Sequence, residues 1–380
     1  MEFSFSQEQR LFRDQVLRFA QKEIAPRSQE HDLKGAFDRE SFNRMGEFGI
    51  LGLHFPEELG GGEGDVVTAT MVGEALGEAG VDMGLMLSAG AHSFLCADTI
   101  FVHGTDAQRK KYIPRLAAGQ WIGCMGLTEP GAGSDAANLS TRATRKNGNY
   151  VLNGTKMFIT NGPVADVAVI YARTERDARH GGISAFIVEK GTPGFSAENE
   201  LVKMGVRTST TSALALEDCQ IPEENLLGEE GNGFSMALQT VEWDRSALLS
   251  PSLGGMTYVL NRCIRYARER RQFGRAICEF PAIKHKLAEI KIFIEAARSL
   301  LYRIAWCKDQ GRGVNHLEAA VAKLFFGDWS LGPMNAALTL HGGYGYCHEY
   351  EIERYFRDNR LTPIGGGASE IQKMIISKLL

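Results

Sequence analysis

The segment 127–135 carries residues well suited to holding a flat ligand with polar edges. Pro130 fixes one backbone dihedral, and Gly131 and Gly133 relax others, so the segment predicts a tight loop that brings backbone N–H groups close to a ligand. Three polar side chains add hydroxyl and carboxylate partners, at a spacing less suited to a metal: Thr128, Ser134 and Asp135. The same pattern also occurs in ordinary surface turns, so the loop alone does not decide its function.

A second stretch, 150–161, follows a polar break at residues 145–149. Its residues alternate as they do along a strand, and Asn153-Gly154 is a favoured hairpin turn. We therefore predict two short strands joined at that turn, close to the loop.

Together the two stretches resemble the flavin-binding signature of the acyl-CoA dehydrogenase family. The resemblance covers nearly the whole chain, because further segments recur in family order. These segments are Gly-Val-Arg-Thr-Ser at 205–209, Val-Glu-Trp-Asp-Arg at 241–245, Arg-Glu-Arg-Arg-Gln-Phe-Gly at 268–274, His-Gly-Gly-Tyr-Gly at 341–345 and Arg-Tyr-Phe-Arg-Asp at 354–358. The resemblance implies an oxidoreductase that acts on CH–CH groups of acyl thioesters.

Length and composition argue against several other classes. At 380 residues the chain exceeds the usual size of one hydrophobic core, which predicts two or three domains. The net charge of −4 gives no general field for nucleic acid or for an anionic membrane, and no apolar run approaches the length of a membrane span. An acidic residue, Glu2, stands where a signal peptide would be basic, so we expect a cytoplasmic protein. Seven cysteines without Cys-x-x-Cys spacing suggest neither a metal site nor disulfides.

Sequence periodicity divides the chain into three parts. Helical periodicity runs from residue 6 to about 119, with a first helix that ends at Pro26 and two buried helices over 68–100. Period-two alternation then predicts strands at 122–127, 150–159, 167–172, 183–188 and 212–217. Helical periodicity returns at 233–268, 281–310, 316–340 and 369–380.

These parts predict an α+β multidomain fold. Its domains are an N-terminal α-helical domain (1–120), a central antiparallel β-barrel or sandwich (121–231) and a C-terminal four-helix bundle (232–380), the order that the family resemblance also implies. No strand leads into a helix through G-x-G-x-x-G, which argues against a Rossmann domain and its nicotinamide cofactor. The dehydrogenase resemblance therefore implies FAD.

Desaturation of an acyl thioester needs a carboxylate that removes the α-proton while the β-hydride passes to flavin N5. In many family members that base is the glutamate of a Tyr-Glu-Gly-Thr motif near the C-terminus, and here Gly366 stands at its position. Another branch carries the base just before an arginine on the first long helix of the C-terminal domain, which corresponds to Asp244. Glu242 would project about 200° away from it on a helix. We predict Asp244, one methylene shorter than glutamate, as the catalytic base.

The resemblance also implies which residues contact the cofactor and the substrate. Thr128, Ser134, Phe158 and Thr160 match positions that hold the isoalloxazine ring. Contacts from a neighbouring subunit match Arg270 and Phe273, which reach the pyrophosphate, and His341, Gly342 and Gly343. Further implied cofactor contacts are Met125, Leu127, Gly133, Gly367, Ala368 and Glu370, and the implied substrate contacts are Ser134, Glu242 and Arg245.

The identity of the thioester stays open in the sequence. Runs at 158–167, 184–194, 301–306 and 309–311, together with Trp243 before the predicted base, resemble dehydrogenases of natural-product biosynthesis that act on acyl or prolyl groups tethered to carrier proteins. Coenzyme A and a carrier protein present the same pantetheine arm, so either tether is compatible. The resemblance implies a homodimer or homotetramer, with electron-transfer flavoprotein or oxygen as the acceptor. Two other functions remain: a flavin monooxygenase or oxidase on the same scaffold, and a non-catalytic flavin-binding protein that has lost the usual glutamate.

Overall fold

The computed structural model describes residues 5–175, 181–244, 247–311 and 316–380, with their side chains except those of Val241, Glu242 and Asp244. Within these residues a run of helices is followed by a mixed β-sheet and then by a second, longer run of helices.

The first run contains seven helices in the described part of the chain. They are α1 (Gln7–Phe19), α2 (Ala25–Lys34), α3 (Arg39–Glu47), α4 (Val66–Glu78), α5 (Met83–Gly90), α6 (Asp98–His103) and α7 (Asp106–Ala117). Five of them begin after a side chain that accepts a hydrogen bond from a free backbone N–H group of the first turn. These capping residues are Ser6, Asp38, Asp65, Asp82 and Thr105.

Two expectations for this region were wrong. Pro26 does not end the first helix, because a π-helical turn, Ala20–Ile24, leads into α2, where Pro26 occupies a first-turn position that needs no N–H donor. The two helices expected over 68–100 are present as α4 and the continuous helical stretch Met83–His103. The expectation that no apolar run approaches the length of a membrane span was wrong, because this stretch of 21 residues is long and apolar enough to cross one. Of its most apolar window, 61% is buried inside the protein, and this burial accounts for the composition.

The central sheet is built from eight strands in the described residues. They are β1 (Gly123–Gly126), β2 (Arg142–Lys146), β3 (Asn149–Thr160), β4 (Val167–Arg173), β5 (Ile183–Glu189), β6 (Phe195–Ala197), β7 (Thr211–Pro222) and β8 (Leu226–Leu227). The strand order is β6-β7-β3-β2-β4-β5-β8, with β1 beside β4. Most neighbours are antiparallel as predicted, while β1 and β2 run parallel to β4.

The predicted turn at Asn153-Gly154 is wrong, because β3 passes through it as one strand. The pairing of β3 with β7 shifts register between Leu152 and Gly154, which marks a β-bulge. A β-carbon on Gly154 would lie 2.5 Å from Thr141 Oγ1, so the close approach there requires glycine. The hairpin turn between β2 and β3 is instead at Asn147-Gly148, whose φ values of 52° and 76° are those a type I′ turn needs.

The second helical run forms the bundle. It contains α8 (Gly233–Asp244), α9 (Ser250–Glu269), the hairpin β9 (Arg271–Gln272) and β10 (Arg275–Ala276), α10 (Pro281–Asp309), α11 (His316–Leu324), α12 (Leu331–His341), α13 (Ile352–Asn359) and α14 (Ser369–Leu379). The predicted helix 233–268 is divided, since α8 ends at Asp244 and a 3₁₀ turn, Ala247–Leu249, precedes α9. The predicted helix 316–340 is likewise interrupted by a π-helical segment, Phe325–Trp329.

The N-terminal helices pack directly on the bundle, where α4 crosses α9 on glycines. A β-carbon on Gly254 would lie 1.9 Å from the Glu74 carbonyl oxygen, and one on Gly77 would lie 2.1 Å from the Pro251 carbonyl oxygen. Arg298 of α10 adds an ion pair of 2.6 Å to the Glu74 carboxylate. Leu76 and Pro251, at this contact, line an apolar cavity between the N-terminal helices and the bundle.

Candidate active site

The two segments that predict a ligand site, 127–135 and 156–160, lie side by side. Met157 N donates a hydrogen bond of 2.8 Å to Thr128 O. Glu129 and Ala132 exchange two backbone hydrogen bonds of 3.1 Å, which close the segment into a tight loop. Residues 127–135, called the flavin loop after their predicted role, are therefore held against the second half of β3.

A buried ion pair, which the sequence analysis did not identify, anchors the flavin loop. Lys156 is 0% exposed and donates to Glu129 Oε1 at 2.7 Å, while Ser140 N and Thr141 N donate to the same carboxylate at 2.6 and 2.9 Å. Burial opposes the charge of Glu129, but Lys156 and these hydrogen bonds outweigh it and lower its pKa to about 2. Burial lowers the pKa of Lys156 to about 8, against the attraction of Glu129. Lys156 is four residues after Leu152, and both side chains are buried on β3. This even spacing from an apolar residue was the sequence signal that could have identified a buried lysine.

The outer face of the flavin loop is open and offers polar and aromatic groups. A β-carbon on Gly131 or Gly133 would meet nothing within 4 Å. Phe158 is 64% exposed and has a φ of 60°, rare for an aromatic residue, where β3 shifts register between Lys156 and Ile159. The predicted contacts that are half-buried or exposed here are Thr128, Gly133, Ser134, Phe158 and Thr160. Met125 and Leu127 pack against the core beneath.

An apolar cavity of about 170 Å³ lies where the N-terminal helices meet the bundle. Leu76 of α4 and Phe94 of the Met83–His103 helix are among its lining side chains. Of the two positions considered for the catalytic base, one lines the cavity and the other is followed by a turn that lines it. Gly366 lines one wall, and Ala247–Leu249, which begins three residues after Asp244, lines another.

The predicted base and two predicted substrate contacts lie outside the part that the structure describes. Asp244 and Glu242 belong to the last turn of α8, but their side chains are not described, and Arg245 is not described at all. Their roles therefore stay predictions. Trp243, between the two, is described and packs against Phe94 of the cavity wall.

The contacts expected from a neighbouring subunit lie at one end of the bundle. Arg270 follows α9, and its guanidinium carbon is 5.7 Å from the centre of the Tyr344 ring. His341 ends α12 and stacks on Tyr266 with 4.4 Å between ring centres, and burial lowers the pKa of its imidazole. Phe273, in the turn between β9 and β10, is 92% exposed.

The remaining predicted contacts are glycines or residues that closely follow a glycine. A β-carbon on Gly342 or Gly343 would meet nothing within 4 Å. Gly367 has a φ of 98° and leads into α14, where Ala368 is the N-cap residue and Glu370 is exposed in the first turn. The predicted cofactor residues thus fall into three groups: the flavin loop with β3, the bundle end, and the start of α14.

Two other segments on which the family resemblance rests, 205–209 and 354–358, meet at a junction of the sheet with both helical regions. Val206 N donates to Asp358 Oδ1 at 2.6 Å. Thr208 Oγ1 donates to the carboxylate of Asp82, which caps α5. Burial, with Asp82 nearby, raises the pKa of Asp358 to about 8. Asp358 also lines the cavity, so the junction adjoins the candidate site.

Comparison with known proteins defines the class. Models of the N-terminal, middle and C-terminal domains of acyl-CoA dehydrogenases match residues 6–120, 124–219 and 231–380. The chain belongs to the acyl-CoA dehydrogenase family.

Its relatives include enzymes with both kinds of tether. The short-chain-specific acyl-CoA dehydrogenase of Clostridium acetobutylicum is 41% identical over 377 residues, which cover 99% of each chain. Butyryl-CoA dehydrogenase from Megasphaera elsdenii is 38% identical with a TM-score of 0.95, covering 100% of this chain and 99% of that one. The prolyl acyl carrier protein oxidase AnaB is 36% identical with a TM-score of 0.96 and 99% coverage of both chains. The FAD complex of PigA is 31% identical with a TM-score of 0.96, covering 100% of this chain and 99% of that one.

The chain is accordingly an oxidoreductase that acts on CH–CH groups of acyl thioesters, and its cofactor is FAD. The described residues fit that cofactor. The flavin loop offers open space beside its glycines, hydroxyl groups and an exposed aromatic ring, which suit a flat ring system with polar edges.

Proposed function

We propose that the protein dehydrogenates a short acyl thioester between its α and β carbons, with Asp244 as the base that removes the α-proton. The observation that carries the proposal is which residues form two walls of the apolar cavity. Gly365 and Gly366 supply no carboxylate at the position used by many family members, whereas the turn that follows Asp244 borders the same cavity.

Asp358 is the other carboxyl group to consider, because it lines the cavity. Val206 N donates to one of its oxygens, and burial together with the nearby Asp82 raises the pKa of Asp358, which disfavours its ionised form. A base must be ionised before it can take a proton. Asp358 is therefore a poor candidate, which supports Asp244.

The cavity supports a small apolar acyl group. Its volume of about 170 Å³ is close to that of an engineered apolar cavity of about 150 Å³ that binds benzene. Its lining is dominated by leucine, methionine, valine and alanine side chains. We infer an acyl group of roughly six carbon atoms or fewer.

The other predicted residues take the roles that the family resemblance implies. Thr128, Ser134, Phe158 and Thr160 would hold the flavin ring, and the remaining contacts named above would hold the rest of the cofactor. When bound, FAD accepts the β-hydride at N5 of its ring. Ser134, Glu242 and Arg245 would contact the thioester. We propose a cytoplasmic homodimer or homotetramer, since the 92% exposure of Phe273 fits a residue that reaches a neighbouring subunit, with electron-transfer flavoprotein or oxygen as the acceptor.

A carrier-tethered substrate is the second candidate. It is supported by the similarity to the prolyl acyl carrier protein oxidase AnaB over nearly the full chain. Anaerobic mixing with short acyl-CoA esters, and separately with acyl- and prolyl-loaded carrier proteins, tests both, because reduction bleaches the visible absorbance of the oxidised flavin. Bleaching by the CoA esters would support the metabolic reaction, and bleaching only by a loaded carrier would support the biosynthetic one.

Asp244→Asn tests the proposed base. We expect the rate of flavin reduction to fall about 10²- to 10⁴-fold, the usual contribution of a general base, while FAD content is unchanged. A second readout is exchange of the α-hydrogens of 3,3-dimethylbutanoyl-CoA into D₂O, followed by NMR. This thioester has α-hydrogens but none on its β carbon, so exchange reports proton removal without hydride transfer.

Asp14→Asn is the matched control, because Asp14 is an exposed aspartate of α1. It should leave both rates unchanged. Flavin reduction by a thioester that survives in Asp244→Asn would refute the role of Asp244. A wild-type holoprotein that no thioester reduces would instead support the oxygenase or the non-catalytic alternative.

A further inference from the structure

Helix α8 is attached to the Met83–His103 helix at two successive turns. Thr240 Oγ1 and Thr99 Oγ1 lie 2.8 Å apart in a hydrogen bond, and Trp243 Nε1 donates to Asp98 Oδ2 at 2.9 Å. Residues three apart lie on the same side of a helix, so the two bonds fix both the height and the rotation of the last turn of α8.

The indole of Trp243 is enclosed by groups of different chemistry. Its side chain is only 6% exposed. The ring stacks on Phe94 with 4.6 Å between ring centres and 21° between planes, and Lys308 Nζ stands 3.5 Å from the ring centre. Phe94 itself lines the cavity, so Trp243 supports the cavity wall from behind.

The carboxylate that receives the indole N–H has a second close neighbour, which does not hydrogen-bond to it. His54 Nε2 lies 3.3 Å from Asp98 Oδ1, the oxygen that Trp243 does not use, and His54 packs on Phe55 with 4.1 Å between ring centres. A hydrogen bond to a charged acceptor is stronger and more directional than a neutral one. The Trp243–Asp98 bond is therefore suited to setting position rather than only to filling space.

We propose that Trp243 and Asp98 are positioning residues that set the place of residue 244, an inference that rests on the proposed role of Asp244 as the base. Trp243 is the residue immediately before Asp244 in the last turn of α8. Aspartate has a shorter reach than glutamate, so the backbone must place it more accurately. A misplacement of about 1 Å near a reacting atom can cost about 100-fold in rate.

Trp243→Phe tests the hydrogen bond while keeping an aromatic ring to stack on Phe94. We expect flavin reduction at saturating thioester, and α-hydrogen exchange of 3,3-dimethylbutanoyl-CoA, to fall about 10- to 100-fold, with KM changed less than about twofold. Because proton removal becomes slower than other steps, the α-deuterium isotope effect on flavin reduction should rise. The exchange assay reports the base without hydride transfer.

Four further variants complete the test. Asp98→Asn keeps an oxygen that can accept from the indole and should retain most of the activity, whereas Asp98→Ala should resemble Trp243→Phe. Trp243→Phe combined with Asp98→Ala should be no worse than the poorer single variant, since both remove one interaction. Trp329→Phe makes the same chemical change at a 65% exposed side chain and should change neither rate.

Equal exchange rates in the wild-type protein and Trp243→Phe would refute the positioning role. A rise in KM with unchanged maximal rate would also refute it, because that pattern indicates only a supported cavity wall. If the wild-type protein neither exchanges nor is reduced by any thioester, the proposed function fails and this inference fails with it. Loss of FAD or a large fall in melting temperature in Trp243→Phe, with Asp98→Ala fully active, would assign Trp243 to folding alone and overturn the proposal.

Discussion

Two buried acidic sites lie within segments that carry the family resemblance, and they differ in how many hydrogen bonds their carboxyl groups accept. Glu129, beneath the flavin loop, accepts from Lys156 and from the backbone and hydroxyl groups of Ser140 and Thr141. Asp358, at the junction, accepts from Val206 N, and its Oδ2 has no hydrogen-bond partner among the described residues.

The pKa values follow this difference. That of Glu129 is lowered to about 2, and that of Asp358 is raised to about 8. Both carboxyl groups are out of water, so burial alone does not decide the charge state. The neighbouring charges and donors do: Lys156 favours the ionised form of Glu129, whereas Asp82 disfavours that of Asp358. The flavin loop thus depends on the ionised form of Glu129, whereas burial at the junction favours the neutral form of Asp358.

Lys156→Met should have the largest effect, because it leaves the Glu129 carboxylate buried without its counter-ion. Removing one partner of a buried ion pair typically costs about 3–5 kcal/mol. We expect the free energy of unfolding to fall by about that amount and FAD to be lost from the purified protein. Urea unfolding and the ratio of flavin to protein absorbance measure the two effects.

Two further variants show whether the stranded charge is the cause. Glu129→Gln added to Lys156→Met should recover most of the lost stability, because no unpaired charge is left. Lys111→Met removes the cation of a half-exposed pair, 2.6 Å from Glu189, and should cost less than about 1 kcal/mol. A Lys156→Met protein as stable as the wild type would show that the ion pair does not support the loop.

How far the sequence predicted the molecule depended on whether each signal was local. The helical and period-two patterns predicted the helical, β and helical order, because they report burial of one face of an element. The turn at Asn153-Gly154 was wrong, because pairing with β7 keeps β3 extended and the glycine serves a bulge. The preference of Asn-Gly for a turn is real, but the hairpin uses Asn147-Gly148 instead.

In the candidate site, too, local features could be predicted from the sequence and long-range contacts could not. Proline, glycine and small residues predicted a tight loop at 127–135, which the backbone hydrogen bonds between Glu129 and Ala132 confirm, while its role in holding the flavin stays a prediction. The Glu129–Lys156 pair spans 27 positions, and the Trp243–Asp98 bond spans 145, so no local pattern could reveal either partner. Long-range pairs of this kind become visible only once the sheet and the helices are assembled.

The dependence of the free energy of unfolding on pH should distinguish the two buried sites, with a smaller effect than that of Lys156→Met. The folded-state pKa of Glu129 lies below its ordinary value of 4.5, so its stabilisation is complete above pH 4.5 and is lost as the pH falls towards 2. A shift of that size corresponds to about 3 kcal/mol. Urea unfolding at intervals from pH 6 to pH 3 should show the wild-type protein losing stability relative to Glu129→Gln. Parallel curves for the two proteins would contradict the lowered pKa.

Asp358→Asn should have the smallest effect, and its pH dependence should have the opposite sign. Asparagine keeps an oxygen for Val206 N and resembles the protonated carboxyl group. The folded-state pKa of Asp358 lies above its ordinary value of 3.8, so the folded protein binds a proton that the unfolded chain releases, and its contribution to stability is lost as the pH rises towards 8. The two proteins should therefore agree within about 1 kcal/mol near pH 4, and the variant should become the more stable one towards pH 8. If Asp358→Asn is instead strongly destabilised at every pH, the junction needs a charged carboxylate, paired with Arg354 nearby, and the two buried sites work in the same way after all.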